Sequence, residues 1–170
     1  AVNPESDHIP VTRANGITTA VTMPGGGIIS GQAALIHLDG WTWQEMQFQA
    51  PASIELQFPV IQAASGSGYS SRSRRQPYPE AKKNYEKRLR DLREFVEQAR
   101  RYQKAKAAGG AGFETDLKFE AMLPVLDRKL PLVIHAVRER ALREAIKFAG
   151  EQKLKVVLAE ADEAWKVASE

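Results

Sequence analysis

A strand-helix-strand pattern near the C-terminal end of the sequence constrains the fold most strongly. A short apolar run, Leu132-Val133-Ile134, follows Pro131 and ends at His135; a helix-forming segment and a second apolar run, Val156-Val157-Leu158, come next. Two apolar strands joined by a helix predict parallel neighbours in one sheet. In parallel sheets, ligands gather outside the carboxyl ends of the strands. We therefore predict that His135 lies at a ligand-binding edge, where an imidazole can bind metal or transfer protons.

Length and composition favour one soluble domain spanning residues 1–170. Hydrophobic residues make up 43% of the 170 residues, enough for one sizeable core. The sequence contains no cysteine, which excludes disulfides, thiolate zinc sites and cysteine nucleophiles. No apolar stretch approaches the roughly 20 residues that span a membrane, and the start shows no secretion signal pattern. We expect a cytoplasmic protein without a membrane partner.

The remaining elements are predicted from hydrophobic spacing and from turn residues. Strands are expected over 17–23, 32–38, 53–58 and 155–158, and helices over 4–15, 79–108, 115–126 and from about Asp162. Thr42 is predicted to cap one helical turn through Met46. The Gly-, Ser- and Arg-rich residues 63–78 are expected to form a flexible loop. In the last helix, Ala164, Trp165 and Ala168 are the predicted buried side.

Acidic residues follow the second strand of the strand-helix-strand unit, at the same predicted edge as His135. Glu160, Asp162 and Glu163 lie in this segment, and parallel strands in register would bring it within reach of His135. A histidine and a carboxylate from adjacent strands can be two of three metal ligands, and Asp162 is our candidate carboxylate. For each residue an alternative remains open. His135 is instead a strand-end residue hydrogen-bonded to backbone. Asp162 instead caps the last helix, with Glu163 near the positive end of that helix.

A glycine-rich segment between the first two predicted strands is a candidate substrate loop. It contains Gly25, Gly26 and Gly27, and Gln32 follows it. Small residues expose backbone N–H groups to an anion, but the segment lacks the Gly-Lys-Ser/Thr ending of nucleoside-triphosphate loops. These glycines are better explained by backbone that passes close to a ligand or a neighbouring strand.

The predicted helix over 79–108 is rich in lysine and arginine, which raises the alternative of a nucleic-acid-binding protein. The net charge of the chain is only +3, and acidic residues are interleaved along the helix. Spacings of four favour intrahelical pairs such as Glu86 with Arg90 and Glu97 with Arg101. We therefore interpret the helix as a solvated charged face and do not expect a nucleic-acid partner.

Several segments, in this order along the chain, resemble one protein family. The segments are Arg13 to Val21, Met23 to Gly27, Ile29 to Ala33, Leu38-Asp39-Gly40, Pro131 to Ala136 and Glu163 to Lys166. Together they resemble the amidohydrolase superfamily, particularly its imidazolonepropionase-like members. Pro131-Leu132-Val133-Ile134-His135-Ala136 is similar to the fifth barrel strand of that family, whose terminal histidine binds the catalytic metal.

The resemblance implies a fold, an activity and a cofactor. The family fold is an eight-stranded parallel β/α barrel with its active site at the carboxyl ends of the strands. One or two divalent metals, with zinc the first choice, activate water against an amide-like C–N bond. The resemblance implies that His135 is one metal ligand, and Glu160 and Asp162 stand where a sixth-strand histidine is expected. The substrate of the parent protein would be a small amide-like molecule.

The sequence lacks other parts of the family pattern. The His-x-His pair of the first strand and the late metal-binding aspartate are absent, and a full barrel takes about 250 residues. We therefore predict about half of a barrel, with a long helical insertion, from a metal-dependent amidohydrolase. Alone, this chain would hold metal poorly and would be inactive. The alternative is a non-catalytic structural module that self-associates into a homo-oligomer or pairs with a missing barrel half.

Overall fold

A five-stranded mixed sheet forms the centre of the fold in a computed structural model that describes residues 2–61, 77–109 and 113–169. The strands lie in chain order: β1 (Thr19–Thr22), β2 (Ile29–His37), β3 (Gln47–Gln57), β4 (Leu132–His135) and β5 (Val156–Ala159). β1, β2 and β3 pair antiparallel, whereas β3, β4 and β5 pair parallel. This arrangement is compatible with a partial barrel.

The prediction of a parallel sheet is confirmed for β3, β4 and β5 and is wrong for β1 and β2. The connection between β1 and β2 is residues 23–28, and the connection between β2 and β3 is residues 38–46. A parallel crossover needs a dozen or more residues, so connections this short return the chain antiparallel. The two longer connections, from β3 to β4 and from β4 to β5, both contain helices.

Among the described residues, five α-helices accompany the sheet: α1 (His8–Ala14), α2 (Trp43–Met46), α3 (Tyr78–Ala108), α4 (Leu117–Leu126) and α5 (Glu139–Gln152). The Thr42 side chain accepts a hydrogen bond from the Glu45 backbone N–H, which confirms the predicted cap of α2. The loop expected over 63–78 lies outside the described residues, except for Pro77 and Tyr78. None of the helices that the structure describes is long and apolar enough to cross a membrane.

The core lies on one face of the sheet, against α3, α4 and α5. Ile54 and Leu56 of β3 and Leu132 and Ile134 of β4 are fully buried there. Their helical partners are Leu92, Val96, Met122, Val125, Leu142 and Phe148. Side chains alternate between the two faces of a strand, so Ser53, Glu55 and His135 point to the opposite face. The alternation therefore separates an apolar core from a polar row.

The end of the chain differs from the predicted helix. Only one turn of 3-10 helix forms, over Ala164–Lys166, with backbone hydrogen bonds between residues three apart. Trp165 is 74% exposed and Ala168 is also exposed, so the predicted buried side is wrong. The tighter turn directs Val167 into the core instead.

Candidate functional site

A cavity opens at the carboxyl ends of β3, β4 and β5, the edge predicted to bind ligands. Its volume is about 420 Å³, and its lining includes Gln57, Tyr85, His135, Arg138, Arg140 and Glu160. Burial, together with the nearby negative charge of Glu144, raises the pKa of Tyr85, so its phenol remains a hydrogen-bond donor. The cavity therefore combines the predicted histidine with several polar groups.

His135 is buried and is held by a carboxylate on the neighbouring strand. The exposed fractions of His135 and Glu55 are 5% and 1%. His135 Nε2 lies 2.8 Å from Glu55 Oε2. The second oxygen, Oε1, accepts a hydrogen bond of 2.5 Å from the Ser53 hydroxyl. Both oxygens of this buried carboxylate are thus satisfied, as burial of a polar group requires.

The contact with Glu55 favours one tautomer of His135. A carboxylate in its ionised form only accepts hydrogen bonds, which favours the tautomer with its proton on Nε2, facing Glu55. The other ring nitrogen, Nδ1, is buried and has no hydrogen-bond partner among the described residues. Glu160 Oε1 lies 3.3 Å from Nδ1, close enough for an ion pair but without hydrogen-bond geometry. In the tautomer with its proton on Nε2, Nδ1 presents a lone pair, the form in which a histidine binds metal.

The three acidic residues after β5 have different surroundings. Glu160 reaches His135 and has a left-handed backbone with φ +55°, a strained conformation for a residue with a side chain. Asp162, the predicted ligand, is exposed, and its backbone N–H donates to the Glu160 carbonyl. The structure thus brings Glu160 to His135, while the metal-binding role of Asp162 stays a prediction.

Glu163 caps α5 and not the end of the chain. Its Oε2 accepts a hydrogen bond of 2.7 Å from the Glu139 backbone N–H, and its Oε1 accepts one of 2.9 Å from Lys166 Nζ. These two bonds lower the pKa of the Glu163 carboxyl, the backbone bond having the larger effect. No side chain caps the last turn, so the alternative that Asp162 caps a final helix is wrong.

The glycine-rich segment joins β1 to β2 and lies beside the strand of Glu55. Gly31 pairs with Glu55, and a Cβ atom built on Gly31 would lie 3.2 Å from the Pro24 Cγ atom. Gly25, Gly26 and Gly27 are exposed, and Gly27 borders a cavity of about 390 Å³ with Gln57 and Arg88. Their role as a substrate loop stays a prediction.

Gln32 lies within β2, after the glycine-rich segment. Gln32 pairs with Ile54 of β3 and lines a different, mostly apolar cavity of about 590 Å³ between the sheet and helices α3 and α4. That cavity lies on the core face of the sheet, whereas Glu55 and His135 occupy the other face. The predicted substrate-binding role of Gln32 is therefore separate from that of the three glycines, and it stays a prediction.

Four cations of α3 form ion pairs within the described residues, although not the pairs predicted. Glu86 pairs with Lys82 at 3.9 Å, and Glu97 pairs with Arg100 at 3.8 Å. Other cations of α3 bridge to neighbouring helices: Arg93 to Glu151 at 3.2 Å and Lys106 to Glu120 at 2.6 Å. The predicted pairs of Glu86 with Arg90 and of Glu97 with Arg101 are therefore wrong. Most charged side chains of α3 are exposed, as a solvated charged face requires, and the expectation of no nucleic-acid partner stays a prediction.

The described residues offer an incomplete set of metal ligands. Within residues 2–61, 77–109 and 113–169, no group of three or more histidine, aspartate and glutamate side chains is arranged to hold a metal. Catalytic zinc takes about three protein ligands and a water molecule. His135 Nδ1 and the Glu160 carboxylate have suitable chemistry for two of them. They fit a metal site only as part of a larger set.

Ser53 and Glu55 were not among the predicted site residues, although the sequence carries a signal for them. In the predicted strand 53–58, polar Ser53, Glu55 and Gln57 alternate with apolar Ile54, Leu56 and Phe58. Such alternation indicates two different faces, and the polar face ends at the same edge as His135. The register that places Glu55 diagonally across from His135 depends on long-range pairing of β3 with β4, which no local pattern reveals.

The fold and the site together define an α/β protein with a buried histidine-carboxylate pair at the carboxyl ends of parallel strands. No protein-family model matches the sequence, and no curated protein matches it. Among solved structures, the crystal structure of an amidohydrolase from Thermotoga maritima is similar, with a TM-score of 0.74 and 25% sequence identity. The match covers 98% of this chain and 42% of that chain. This chain thus spans less than half the length of the protein it resembles.

Proposed function

We propose that this chain is part of a metal-dependent hydrolase of the amidohydrolase type, which cleaves a C–N bond in an amide-like substrate. One observation carries the proposal: the buried His135 presents its free Nδ1 beside Glu160, at the carboxyl edge of a sheet whose fold is similar to that of a solved amidohydrolase. The imidazolonepropionase-like sequence segments support the same assignment.

The residues of this chain have distinct roles in the proposal. His135 Nδ1 and the Glu160 carboxylate would hold the metal, while Glu55 would accept the proton of Nε2 and orient the ring. A divalent metal, for which we propose zinc, supplies Lewis-acid chemistry when bound, lowering the pKa of a water molecule and polarising a carbonyl. Tyr85, Arg138 and Arg140 line the cavity in which an amide substrate would be oriented.

The incomplete ligand set leads us to propose that the chain alone is inactive. The described residues provide two donor groups, and the matched amidohydrolase is more than twice as long as the shared region. We propose that the remaining ligands come from the other half of a barrel, in the same protein or in a partner. The first and last strands of the barrel would lie in that half.

Zinc binding by this chain tests the proposed site. We expect isothermal titration to detect weak zinc binding that falls by about tenfold or more in His135→Ala, because one of very few ligands is removed. His8→Ala is the matched control, since His8 is an exposed histidine on α1, and it should bind like the unmodified chain. Equal zinc affinity in all three proteins would contradict the proposed site.

A hydrolase screen tests the proposed reaction. We expect the isolated chain to show no turnover of amide substrates, and the longer parent protein to show turnover that is lost in His135→Ala. Turnover by the isolated chain with added zinc would contradict the proposed inactivity. A parent protein that is active without any dependence on His135 would contradict the proposed function.

A second candidate function is self-association without catalysis, and the open sheet favours it. β1 and β5 are the outer strands, so each has one edge that no described strand covers. Val157 on β5 is 48% exposed, which adds apolar surface to that edge. Light scattering over a dilution series tests this alternative. A stable oligomer favours a structural module, and a monomer at all concentrations contradicts it.

A further inference from the structure

The Glu55 carboxylate receives a hydrogen bond that the proposed metal site does not require. Ser53 and Glu55 lie two residues apart on the same face of β3, and both side chains are buried. The Ser53 hydroxyl donates to Glu55 Oε1 at 2.5 Å, while Oε2 accepts from His135. The serine touches neither His135 nor the cavity in any described contact. Its effect on the site must therefore pass through Glu55.

The strand register explains why Glu55 needs a second contact. Glu55 pairs with Val133, and His135 pairs with Gln57, so the carboxylate reaches His135 diagonally across two strands. A glutamate side chain rotates about several bonds, and a diagonal contact alone does not fix the plane of its carboxylate. The bond from Ser53 to Oε1 fixes that plane and directs Oε2 toward Nε2.

The residue that pairs with Glu55 on β2 brings no side-chain donor. Its partner on β2 is Gly31, which has no side chain, and Pro24 lies against that glycine. Among the described residues, the donors to the Glu55 side chain are Ser53 and His135. Removing the hydroxyl would leave Oε1 buried without a hydrogen-bond partner, which costs free energy. A carboxylate can reduce this cost by rotating toward another donor.

We propose that Ser53 is a positioning residue: its hydroxyl aims the Glu55 carboxylate at His135 Nε2, which sets the tautomer of His135 and leaves Nδ1 free. The effect on metal binding rests on the proposed function, but the effect on the tautomer does not. A neutral imidazole has its proton on one nitrogen only, and the partner of the other nitrogen selects which. Ser53 therefore controls from two residues away whether His135 can act as a ligand through Nδ1.

The experiment compares three variants with the unmodified chain. Ser53→Ala removes the hydroxyl, and Ser53→Thr keeps it. Ser30→Ala is the matched control, because the buried Ser30 hydroxyl has no hydrogen-bond partner among the described residues. The first readout is the 15N NMR spectrum of the His135 ring in metal-free protein at about pH 8, above the ordinary imidazole range. The second is zinc affinity by isothermal titration.

We expect the unmodified chain, Ser53→Thr and Ser30→Ala to show His135 protonated at Nε2. Ser53→Ala should show proton density shared with Nδ1, together with zinc affinity lower by roughly 10–100-fold, the range found when a partner behind a metal-binding histidine is removed. An unchanged His135 spectrum in Ser53→Ala would overturn the proposal. If Ser53→Ala does not fold, the 15N spectrum of the unmodified chain still tests the proposal. A His135 ring protonated at Nδ1 in that spectrum would overturn it.

The two readouts separate this proposal from the proposed function. If Ser53→Ala shifts the tautomer but no form of the chain binds zinc, the positioning role is supported and the metal site is not. If zinc binds and depends on His135 while Ser53→Ala matches the unmodified chain in both readouts, the metal site is supported and the positioning role is overturned.

Discussion

At the scale of single residues, the fully buried carboxylate of Glu55 organises the site. It lies in hydrogen-bond contact with Ser53 and His135, and the other ring nitrogen of His135 faces Glu160. The position of His135 at the end of β4 was predictable from the apolar run before it. The partners of His135 were not predictable, because Glu160 follows β5 and Glu55 lies on β3. Local sequence patterns do not show which strands become neighbours.

Gly31, which pairs with Glu55, is closely packed, and this predicts the effect of adding a side chain there. We expect Gly31→Ala to reduce the free energy of unfolding by about 1–3 kcal/mol, because Gly31 has φ +127° and its Cβ would press on Pro24. Gly25→Ala is the matched control, since nothing lies within 4 Å of a Cβ there and no positive φ is involved. Urea denaturation measures both, and equal losses in the two variants would contradict the described loop position.

At the scale of elements, β4 and α5 are held together by the segment that follows β5. The carboxylate of Glu163 binds the first backbone N–H of α5, where the positive end of the helix favours a negative charge. The periodic α5 was predictable from its apolar stripe. The 3-10 turn was not, because the spacing of Ala164, Trp165 and Ala168 fits an α-helix, and only tertiary contact selects Val167 for the core.

The cap of α5 gives a prediction about pH. The folded pKa of Glu163 is lowered, so its contribution to stability is present above the ordinary glutamate pKa and is lost as pH falls through the lowered folded value. Glu163→Gln cannot ionise. We expect the unmodified chain to melt at a higher temperature than Glu163→Gln at neutral pH, and the difference to shrink toward about pH 3. A difference that stays constant between those pH values would contradict this role of Glu163.

At the scale of the whole molecule, the chain resembles part of a larger protein. Within the part of the chain that the structure describes, β1 and β5 each have one edge that no other strand covers, and the match with the Thermotoga maritima amidohydrolase covers 42% of that protein. The three parallel strands were predictable because a helical connection joins apolar runs. The antiparallel pairing of β1 and β2 follows instead from two short connections, whose effect on strand direction the apolar patterns do not show.

We propose that His135 binds a metal through Nδ1, next to Glu160. Anomalous diffraction from crystals of this chain soaked in zinc locates the metal directly. We predict a peak within bonding distance of Nδ1 on the side of Glu160, and no such peak in His135→Ala. A peak between Nε2 and Glu55, or zinc bound elsewhere in the crystal with none at His135, would contradict the claim.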